Sequence, residues 1–267
     1  MTVTEPGIYA DIPEVTYHAD PALSQSAAKV LLDCPARYRW QLDNPPPFKD
    51  VFDFGHAAHA KVLGVGLDLV IIDAPDWRTK AAQEAKAEAH ATGRVPLLRK
   101  DAATVDAMAA RLEAHDGARA ILTSEGMAEQ SMWWLDEQTG IECRGRIDWL
   151  AEVGGGLAIV DYKTTGDASP DGFAKSVANY GYRLQAAHYI DGLAAITSIP
   201  DAPFVFIAQE KEPPHLVGLY TLADYDVQTG RDRMRTALDL LAHCRAHDEW
   251  PGYSPDIQTL TLPRWAA

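Results

Sequence analysis

The clearest pattern of apolar and polar positions lies between residues 145 and 165. An apolar run, 149–153, and a second apolar run, 157–160, flank three consecutive glycines at 154–156. Two apolar runs joined by glycines are typical of a β-hairpin. The pattern therefore predicts two antiparallel strands with a glycine turn.

A third strand is predicted immediately before this hairpin. Residues 128–135 are rich in apolar and aromatic side chains, and the stretch 136–140 that follows is rich in turn-forming residues. Strands are therefore expected from about residue 128 to residue 163, with neighbours in the chain pairing antiparallel.

Helices are predicted on both sides of these strands. Ser24 or Ser26 is a candidate N-cap for a helix over 27–32 that ends near Pro35. The three prolines at 45–47 predict an extended connection, and the aromatic, proline-rich tail is expected to pack back on the body. The other predicted helices are 52–63, 79–91, 100–115, 182–195 and 224–247, and two more strands are predicted at 204–209 and 216–222.

This order of elements predicts an α/β domain with a central mixed β-sheet flanked by helices. A chain of 267 residues, 47% of them hydrophobic, can bury a substantial core. We therefore expect a single domain over 1–267. Its helical N-terminal part would reach about residue 125, its sheet and later helices would span about 126–249, and the tail would be 250–267.

The candidate functional residues are charged residues on the central strands. Asp161 and Lys163 are two apart, so their side chains leave the same face of a strand. A turn at Gly154-Gly155 would place Asp148 opposite Asp161, with Cβ atoms roughly 4.5–5.5 Å apart. A turn centred on Gly155 would instead place Asp148 opposite Tyr162. The sequence permits a shared carboxylate site without deciding the register.

A third carboxylate could join this pair. A loop over 137–140 would place Glu129 opposite Asp148, although Glu125 could play the same part. Such oxygen ligands favour Mg²⁺ or Mn²⁺ over zinc. The alternative is that Asp161 and Lys163 form an ordinary exposed ion pair. The apolar run before Asp161 instead favours burial, and a buried carboxylate without a partner is costly. Burial therefore favours the functional interpretation.

Composition narrows the class of protein. The net charge of −14 argues against nonspecific binding along nucleic acid, which requires phosphate neutralisation. The three cysteines are far apart and form no Cys-x-x-Cys metal motif. No apolar run reaches the length of a membrane span, and a cytoplasmic protein is expected. A basic channel can nevertheless be local, and its candidates are Arg37, Arg39, Lys61, Arg144, Arg146, Lys175 and Arg183.

Several motifs follow one another along most of the chain: Leu23-Ser24-x-Ser26 with Cys34-Pro35-x-x-Tyr38, Gly55-x-x-x-His59, Gly145-x-x-Asp148, Asp161-x-Lys163, Gln185-x-x-x-Tyr189, and the closing Trp250-Pro251-Gly252-Tyr253 and Leu262-Pro263-x-Trp265. In this order they resemble the PD-(D/E)XK nuclease superfamily, and within it the exonucleases related to RecE and to the RecB nuclease domain. Glu129 stands where the resemblance places an upstream acidic residue.

The resemblance implies a restriction-endonuclease-like core and a metal-dependent DNA exonuclease of recombination or repair. Such an enzyme digests one strand of linear duplex DNA from an end, typically 5′→3′. His59, Asp148, Asp161 and the Tyr162 backbone carbonyl would hold Mg²⁺ or Mn²⁺, and Lys163 would orient water or offset transition-state charge. Gln185 and Tyr189 would hold the substrate backbone or the lysine. The candidate DNA-phosphate contacts are Ser24, Ser26, Arg37, Arg146 and Arg183.

The resemblance also suggests partners. These are duplex DNA ends, a single-strand annealing recombinase, and further copies of the chain in a ring-like homo-oligomer. A bacterial cell is the expected setting, with a phage or prophage origin. Some relatives carry four cysteines for an iron–sulfur cluster; this chain has three in all, so no cluster is expected.

Other interpretations stay open at the level of sequence. His59 could be a core histidine or, with His56, half of a zinc pair. Gln185 and Tyr189 could form the polar rim of an amphipathic helix, since they lie four apart. The protein could be an endonuclease or flap nuclease of the same superfamily, or a DNA-end-binding protein without turnover.

Overall fold

The computed structural model describes residues 5–44, 53–66 and 68–262. Its strands are β1 (Gly7–Tyr9), β2 (Leu69–Ile72), β3 (Val95–Leu98), β4 (Gly126–Asp136), β5 (Ile141–Val153), β6 (Gly156–Thr165), β7 (Phe204–Glu210) and β8 (Val217–Tyr220). Its helices are α1 (Glu14–Ala19), α2 (Gln25–Asp33), α3 (Pro35–Asp43), α4 (Asp53–Leu63), α5 (Lys80–Ala91), α6 (Arg99–Glu113), α7 (Asp116–Leu122), α8 (Pro170–Tyr180), α9 (Tyr182–Thr197) and α10 (Asp224–His247).

The predicted mixed sheet flanked by helices is confirmed. Six strands form one sheet in the order β1-β4-β5-β6-β7-β8, in which β6 and β7 run parallel and the other neighbours run antiparallel. The parallel pair is connected through α8 and α9. The short strands β2 and β3 form a separate parallel pair.

Both hairpin registers agree with the sequence pattern. In the β5–β6 hairpin Val153 pairs with Gly156, so the turn is Gly154-Gly155. Both glycines have positive φ, 60° and 82°, a conformation that costs glycine little and suits a two-residue hairpin turn. In the β4–β5 hairpin Asp136 pairs with Ile141, which leaves the loop 137–140.

Apolar side chains cover both faces of the sheet. On β6, Ile159 belongs to a core shared with α2, α9 and α10, whereas Val160 belongs to one shared with α4, α6 and α7. Alternation along a strand explains this division. Residues 156–165 are thus enclosed by helices on both sides, which makes β6 a rigid support for its charged side chains.

Two glycines allow α9 to approach the sheet closely. A Cβ atom on Gly145 would lie 2.8 Å from the ring of Tyr189, and one on Gly192 would lie 2.7 Å from the ring of Trp134. The glycine of Gly-x-x-Asp and the tyrosine of Gln-x-x-x-Tyr therefore meet in one packing contact. This contact fixes α9 against β5.

The structure corrects several predicted boundaries. The first predicted helix ends near Pro35 as expected, at Asp33, but Pro35 also begins a further helix, α3, where proline at the first position loses no hydrogen bond. Seven elements were not predicted: β1, α1, α3, β2, β3, α7 and α8. The prolines at 45–47, residue 52 and the end of the tail from 263 lie outside the described residues. Part of the tail packs back as expected, because Trp250 stacks on Tyr38 at 5.9 Å. Within the described ranges, no helix combines the length and apolar character needed to cross a bilayer.

The buried His188 on α9 should make the stability of the folded protein depend on pH. It is 2% exposed, and its Nε2–H donates to the Arg144 carbonyl at 3.1 Å. Burial lowers its pKa from 6.5 to about 4. As pH falls through this range the unfolded chain binds a proton before the folded one does, so stability present above pH 6.5 is lost towards pH 4. The loss is about 3 kcal/mol for this group.

A His188→Gln variant tests this contribution. Its amide can still donate to the Arg144 carbonyl, but it does not titrate. Urea unfolding at pH 7 and pH 4.5 should show a smaller loss of unfolding free energy in the variant than in the wild type. His243→Gln, an exposed histidine on α10, is the control and should behave as the wild type. Identical pH dependence in His188→Gln and wild type would contradict the assignment.

Candidate metal centre

The candidate site lies where β5 and β6 separate. Their paired positions end at Trp149 with Val160. At the next position, Oδ2 of Asp148 accepts a hydrogen bond from the Tyr162 backbone N–H at 2.8 Å. A side-chain carboxylate thus serves as the acceptor for this β6 amide. This bond holds Asp148 at the fork between the strands.

His59 and Glu129 meet Asp148 at this fork. Nδ1 of His59, on α4, lies 3.5 Å from Oδ2 of Asp148. One potential ligand atom from each of the three residues lies within 4.8 Å of the other two. An imidazole and two carboxylates from three different elements therefore converge on one small volume.

Glu129 adopts an unusual backbone conformation. Its φ is +51° in the middle of β4, between the pairs Ala128–Trp149 and Gln130–Ile147. Positive φ is uncommon for a residue other than glycine and costs roughly 1–3 kcal/mol. Such strain is concentrated at functional sites, and here it accompanies the placement of the Glu129 carboxylate beside Asp148.

Protonation equilibria in the cluster suit a divalent cation. Burial raises the pKa of Glu129 to about 7, and the negative charge of Asp148 adds to the shift. Burial also raises the pKa of Asp148. Burial lowers the pKa of His59 to about 4, helped by the nearby Lys163 ammonium. The imidazole is therefore neutral, and crowded carboxylates gain from a cation between them. These residues fit a divalent metal ion.

Asp161 and Lys163 form a buried ion pair next to this cluster. Lys163 Nζ lies 2.6 Å from Asp161 Oδ2, and the Asp161 side chain is 2% exposed. Gln185 on α9 donates its amide to Asp161 Oδ1 at 2.6 Å. Burial raises the pKa of Asp161 to about 6, against the pull of Lys163. Burial lowers the pKa of Lys163, but Asp161 and Asp148 together raise it above the ordinary value, so the ammonium is charged at neutral pH.

The structure separates the predicted site residues into two groups around the fork. Asp148, Glu129 and His59 form the group within ligand distance, and Asp161, Lys163 and Gln185 form the adjoining ion-pair network. Of the two acidic candidates on or before β4, the group contains Glu129 and not Glu125.

The other residues predicted to bind the metal ion or to act in catalysis lie around these two groups. Tyr162 donates its amide to Asp148, and its ring lies 5.1 Å from the His59 ring. Its backbone is also hydrogen bonded to His59. Tyr189 is buried against Gly145. Its ring packs against β5, and its role in holding the substrate backbone or the lysine stays a prediction. His56 is not a member of the ligand group.

The predicted phosphate contacts have protein partners. Ser24 caps α2 by accepting from Ala27 N at 3.2 Å, and its Oγ lies 3.0 Å from Ser26 Oγ. Arg37 on α3 pairs across the α2–α3 junction with Asp33, the last residue of α2, and donates to the Tyr253 hydroxyl at 2.7 Å. These contacts join α2, α3 and the tail, and they do not involve the acidic cluster.

The other predicted arginines differ in their relation to the site. Arg146 donates to Ser131 Oγ and to the Ile12 carbonyl, and its Nε lies 3.9 Å from Glu129. It therefore borders the cluster. Arg183 lines a groove with Phe173 and Tyr220 between α8, β8 and α10. Arg144 is buried, and its guanidinium donates to the Ala22 and Tyr17 carbonyls. Its role is structural.

Three residues beside the ion pair were not found from the sequence. Tyr182 lies under Lys163, with Nζ 5.1 Å from the ring centroid, and its ring stacks on Tyr180 at 5.7 Å. Lys29 of α2 donates its ammonium to the Tyr180 carbonyl at 2.9 Å. The Tyr-Gly-Tyr sequence at 180–182 was the available signal, since it marks a glycine at a helix junction between two aromatic rings.

Comparisons with known proteins cover nearly the whole chain. The family model described as "PDDEXK-like domain of unknown function (DUF3799)" matches residues 24–263. A crystal structure from Eubacterium rectale, described as that of a "Putative exonuclease", is 14% identical, covers 98% of this chain and 96% of that chain, and gives a TM-score of 0.64. At this identity the likeness shows a shared fold.

Two other comparisons add no argument. The crystal structure of SSO0001 is 12% identical and covers 85% of this chain and 79% of that chain, but its TM-score is only 0.34. A search of curated proteins found no match.

Proposed function

Because the chain belongs to the family of PDDEXK-like domains, we propose that it is a Mg²⁺- or Mn²⁺-dependent deoxyribonuclease. Its proposed reaction is hydrolysis of phosphodiester bonds in one strand of linear duplex DNA, starting from an end and running 5′→3′, in recombination or repair. The observation that carries the proposal is the convergence of His59, Glu129 and Asp148 beside the Asp161–Lys163 pair. The description of the Eubacterium rectale neighbour as an exonuclease agrees with it.

The residues of the fork have distinct roles in the proposed reaction. His59, Glu129 and Asp148 would hold the metal ion, with Asp161 and the Tyr162 carbonyl as further ligands. A bound divalent ion would neutralise phosphate charge and lower the pKa of a water molecule. Lys163 is charged at neutral pH, so it acts as a hydrogen-bond donor to developing negative charge and not as a base. Gln185 positions Asp161 through its amide.

The acidic composition is compatible with this substrate. Much of the described basic surface is paired with carboxylates, as in Arg39 with Asp43 and Lys61 with Asp106. Binding would therefore depend on a local set of cations near the fork. The proposed partners rest on the resemblance alone. They are duplex DNA ends, a single-strand annealing recombinase and further copies of the chain in a ring-like homo-oligomer.

Two DNA substrates test the reaction. We expect the protein with Mg²⁺ or Mn²⁺ to degrade linear duplex DNA and to leave covalently closed circles intact. Duplexes labelled at the 5′ or the 3′ end should release the 5′ label first. Degradation of closed circles would instead indicate an endonuclease. Binding of DNA ends without metal-dependent nucleotide release would indicate the non-catalytic alternative.

Loss of the Glu129 carboxylate, the third proposed metal ligand, should weaken metal binding moderately. Glu129→Gln keeps the size of the side chain but removes a negative charge from the group around Asp148. We expect the concentration of Mn²⁺ needed for half-maximal nuclease activity to rise about 10–100-fold, as for changes to the surroundings of other metal sites. The matched control is Glu125→Gln, which should leave this concentration unchanged. Equal effects of the two substitutions would argue against ligation by Glu129.

A further inference from the structure

An aromatic column runs from the core to the surface beside the ion pair. Phe206 on β7 is fully buried, and Tyr182 at the start of α9 stacks on it with ring centroids 5.9 Å apart. Tyr180 at the end of α8 stacks on Tyr182 at 5.7 Å with an interplanar angle of 29°. The Tyr180 residue is 62% exposed. The column therefore ends in an aromatic ring at the surface.

Two ammonium groups flank this column. Lys163 Nζ lies 5.1 Å from the Tyr182 ring centroid, and Lys29 Nζ donates to the Tyr180 carbonyl at 2.9 Å. Burial lowers the pKa of Lys29 to about 8, with a further lowering by Lys163 and an opposing contribution from Asp161. The stem of Lys29 covers Gly181, where an added Cβ atom would lie 3.1 Å from Lys29 Cδ. The Lys29 side chain therefore packs directly against the junction formed by residues 180–182.

A surface aromatic ring beside two like charges has a natural ligand in this protein. Nucleobases stack on aromatic side chains, and the phosphates that join them neutralise lysines. Packing alone explains Tyr182, which is enclosed between Phe206 and Tyr180, but it does not explain the exposed ring of Tyr180. Lys163 has Asp161 as its counter-ion, whereas Lys29 donates to an uncharged carbonyl, so a phosphate beside Lys29 would supply an opposite charge.

We propose that Tyr180 stacks on an unpaired nucleobase of the cleaved strand, next to the phosphate at Lys163, while Lys29 binds an adjoining phosphate. This inference rests on the proposed function and names the part of the substrate that the site recognises. The site would favour a strand end whose terminal bases are separated from the complementary strand. The column Phe206–Tyr182–Tyr180 would make the stacking surface rigid.

Fluorescence of 2-aminopurine tests the stacking directly. A single-stranded oligonucleotide of about 12 nucleotides, within the usual site size, carries 2-aminopurine at successive positions from its 5′ end. Binding is measured in Ca²⁺ to limit hydrolysis. In the wild type we expect quenching at one or two positions. Tyr180→Ala should remove the quenching and weaken binding about 5–150-fold, whereas Tyr180→Phe should keep both.

Matched controls separate stacking from general effects. Tyr225→Ala removes another exposed tyrosine, 80% exposed on α10, and should bind as the wild type does. Lys29→Gln should lower the magnitude of the slope of log K against log salt by about 0.7, the value for one phosphate of a single strand. Wild-type quenching and affinity in Tyr180→Ala would overturn the stacking site, even if the protein degrades DNA. Conversely, quenching that depends on Tyr180 in a protein without nuclease activity would overturn the proposed hydrolysis and keep the site.

Discussion

Replacement of Lys163 by methionine should slow phosphodiester hydrolysis by about 10²–10³-fold under single-turnover conditions. The Lys163 ammonium lies beside the acidic fork, with Nζ 2.6 Å from Asp161 Oδ2. Methionine keeps much of the apolar stem but cannot offer a hydrogen bond or a charge to the developing negative charge. The effect should therefore lie in the rate of hydrolysis rather than in DNA affinity.

Several controls define this result. Lys100→Met removes an exposed lysine from α6 and should leave the rate unchanged. Lys163→Arg should not restore it, because a planar guanidinium differs in shape and donor geometry from an ammonium. Since Lys163→Met leaves a buried carboxylate without its counter-ion, its unfolding temperature must be measured as well. A folded Lys163→Met protein with a wild-type rate would remove the lysine from the mechanism.

The central hairpins could be predicted because their local chemistry determines their register. Gly154 and Gly155 both need positive φ, and a turn on these two residues brings Asp148 to the position that follows the last β5–β6 pair. The loop 137–140 likewise fixes which β4 residue faces Asp148. Register is a local property once the turn is known. The convergence of charges on this sheet was therefore accessible from the sequence.

The fork itself could not be predicted from strand patterns. Regular pairing would give the Tyr162 amide a backbone acceptor, whereas the structure uses the Asp148 side chain. Nor does any pattern in the sequence indicate positive φ at Glu129, because the residues around it are typical of an ordinary strand. Both features arise where the sheet departs from regular geometry to expose polar groups. Sequence rules fail at such positions because tertiary contacts compensate the local cost.

Long-range partners explain why the arginines were hard to assign. Arg144 and Arg146 flank Gly145 of the Gly145-x-x-Asp148 motif, yet each donates to a carbonyl in the N-terminal segment, at Ala22 and Ile12 respectively. Arg37 meets the tail through Tyr253. A guanidinium offers several donors and satisfies distant carbonyls as readily as phosphates. Its partner depends on the fold, which the charge pattern alone does not give.

Asp148→Asn is expected to have the largest effect on the metal centre. Its carboxylate is the one that contacts both His59 and the Tyr162 amide, and the amide group of asparagine can still accept the latter bond. Loss of the charge should remove metal-supported stabilisation of the transition state, about 4 kcal/mol or more, which corresponds to a rate loss of about 10³-fold. Metal-dependent nucleotide release measures it.

Thermal unfolding provides a readout of the same substitution that is independent of DNA. Burial raises the pKa of Asp148, so the folded state holds this proton more tightly than the unfolded state, and stability falls as pH rises through the interval between the two pKa values. Asparagine removes that cost, and the metal-free variant should unfold at or above the wild-type temperature. Mn²⁺ at 100 times its dissociation constant should raise the wild-type unfolding temperature by roughly 5 °C and leave Asp148→Asn unchanged.

The control for this experiment lies on the same strand. Glu152→Gln removes an exposed carboxylate near the end of β5 and should retain the full Mn²⁺ response. If Asp148→Asn also retained it, the cation would be bound elsewhere and the fork would not be the metal centre. If instead the variant lost the Mn²⁺ response but degraded DNA at the wild-type rate, hydrolysis would not depend on this ion. The expected combination, a stable metal-free protein that neither responds to Mn²⁺ nor releases nucleotides, requires that Asp148 act through its charge, because the hydrogen bond to the Tyr162 amide is preserved.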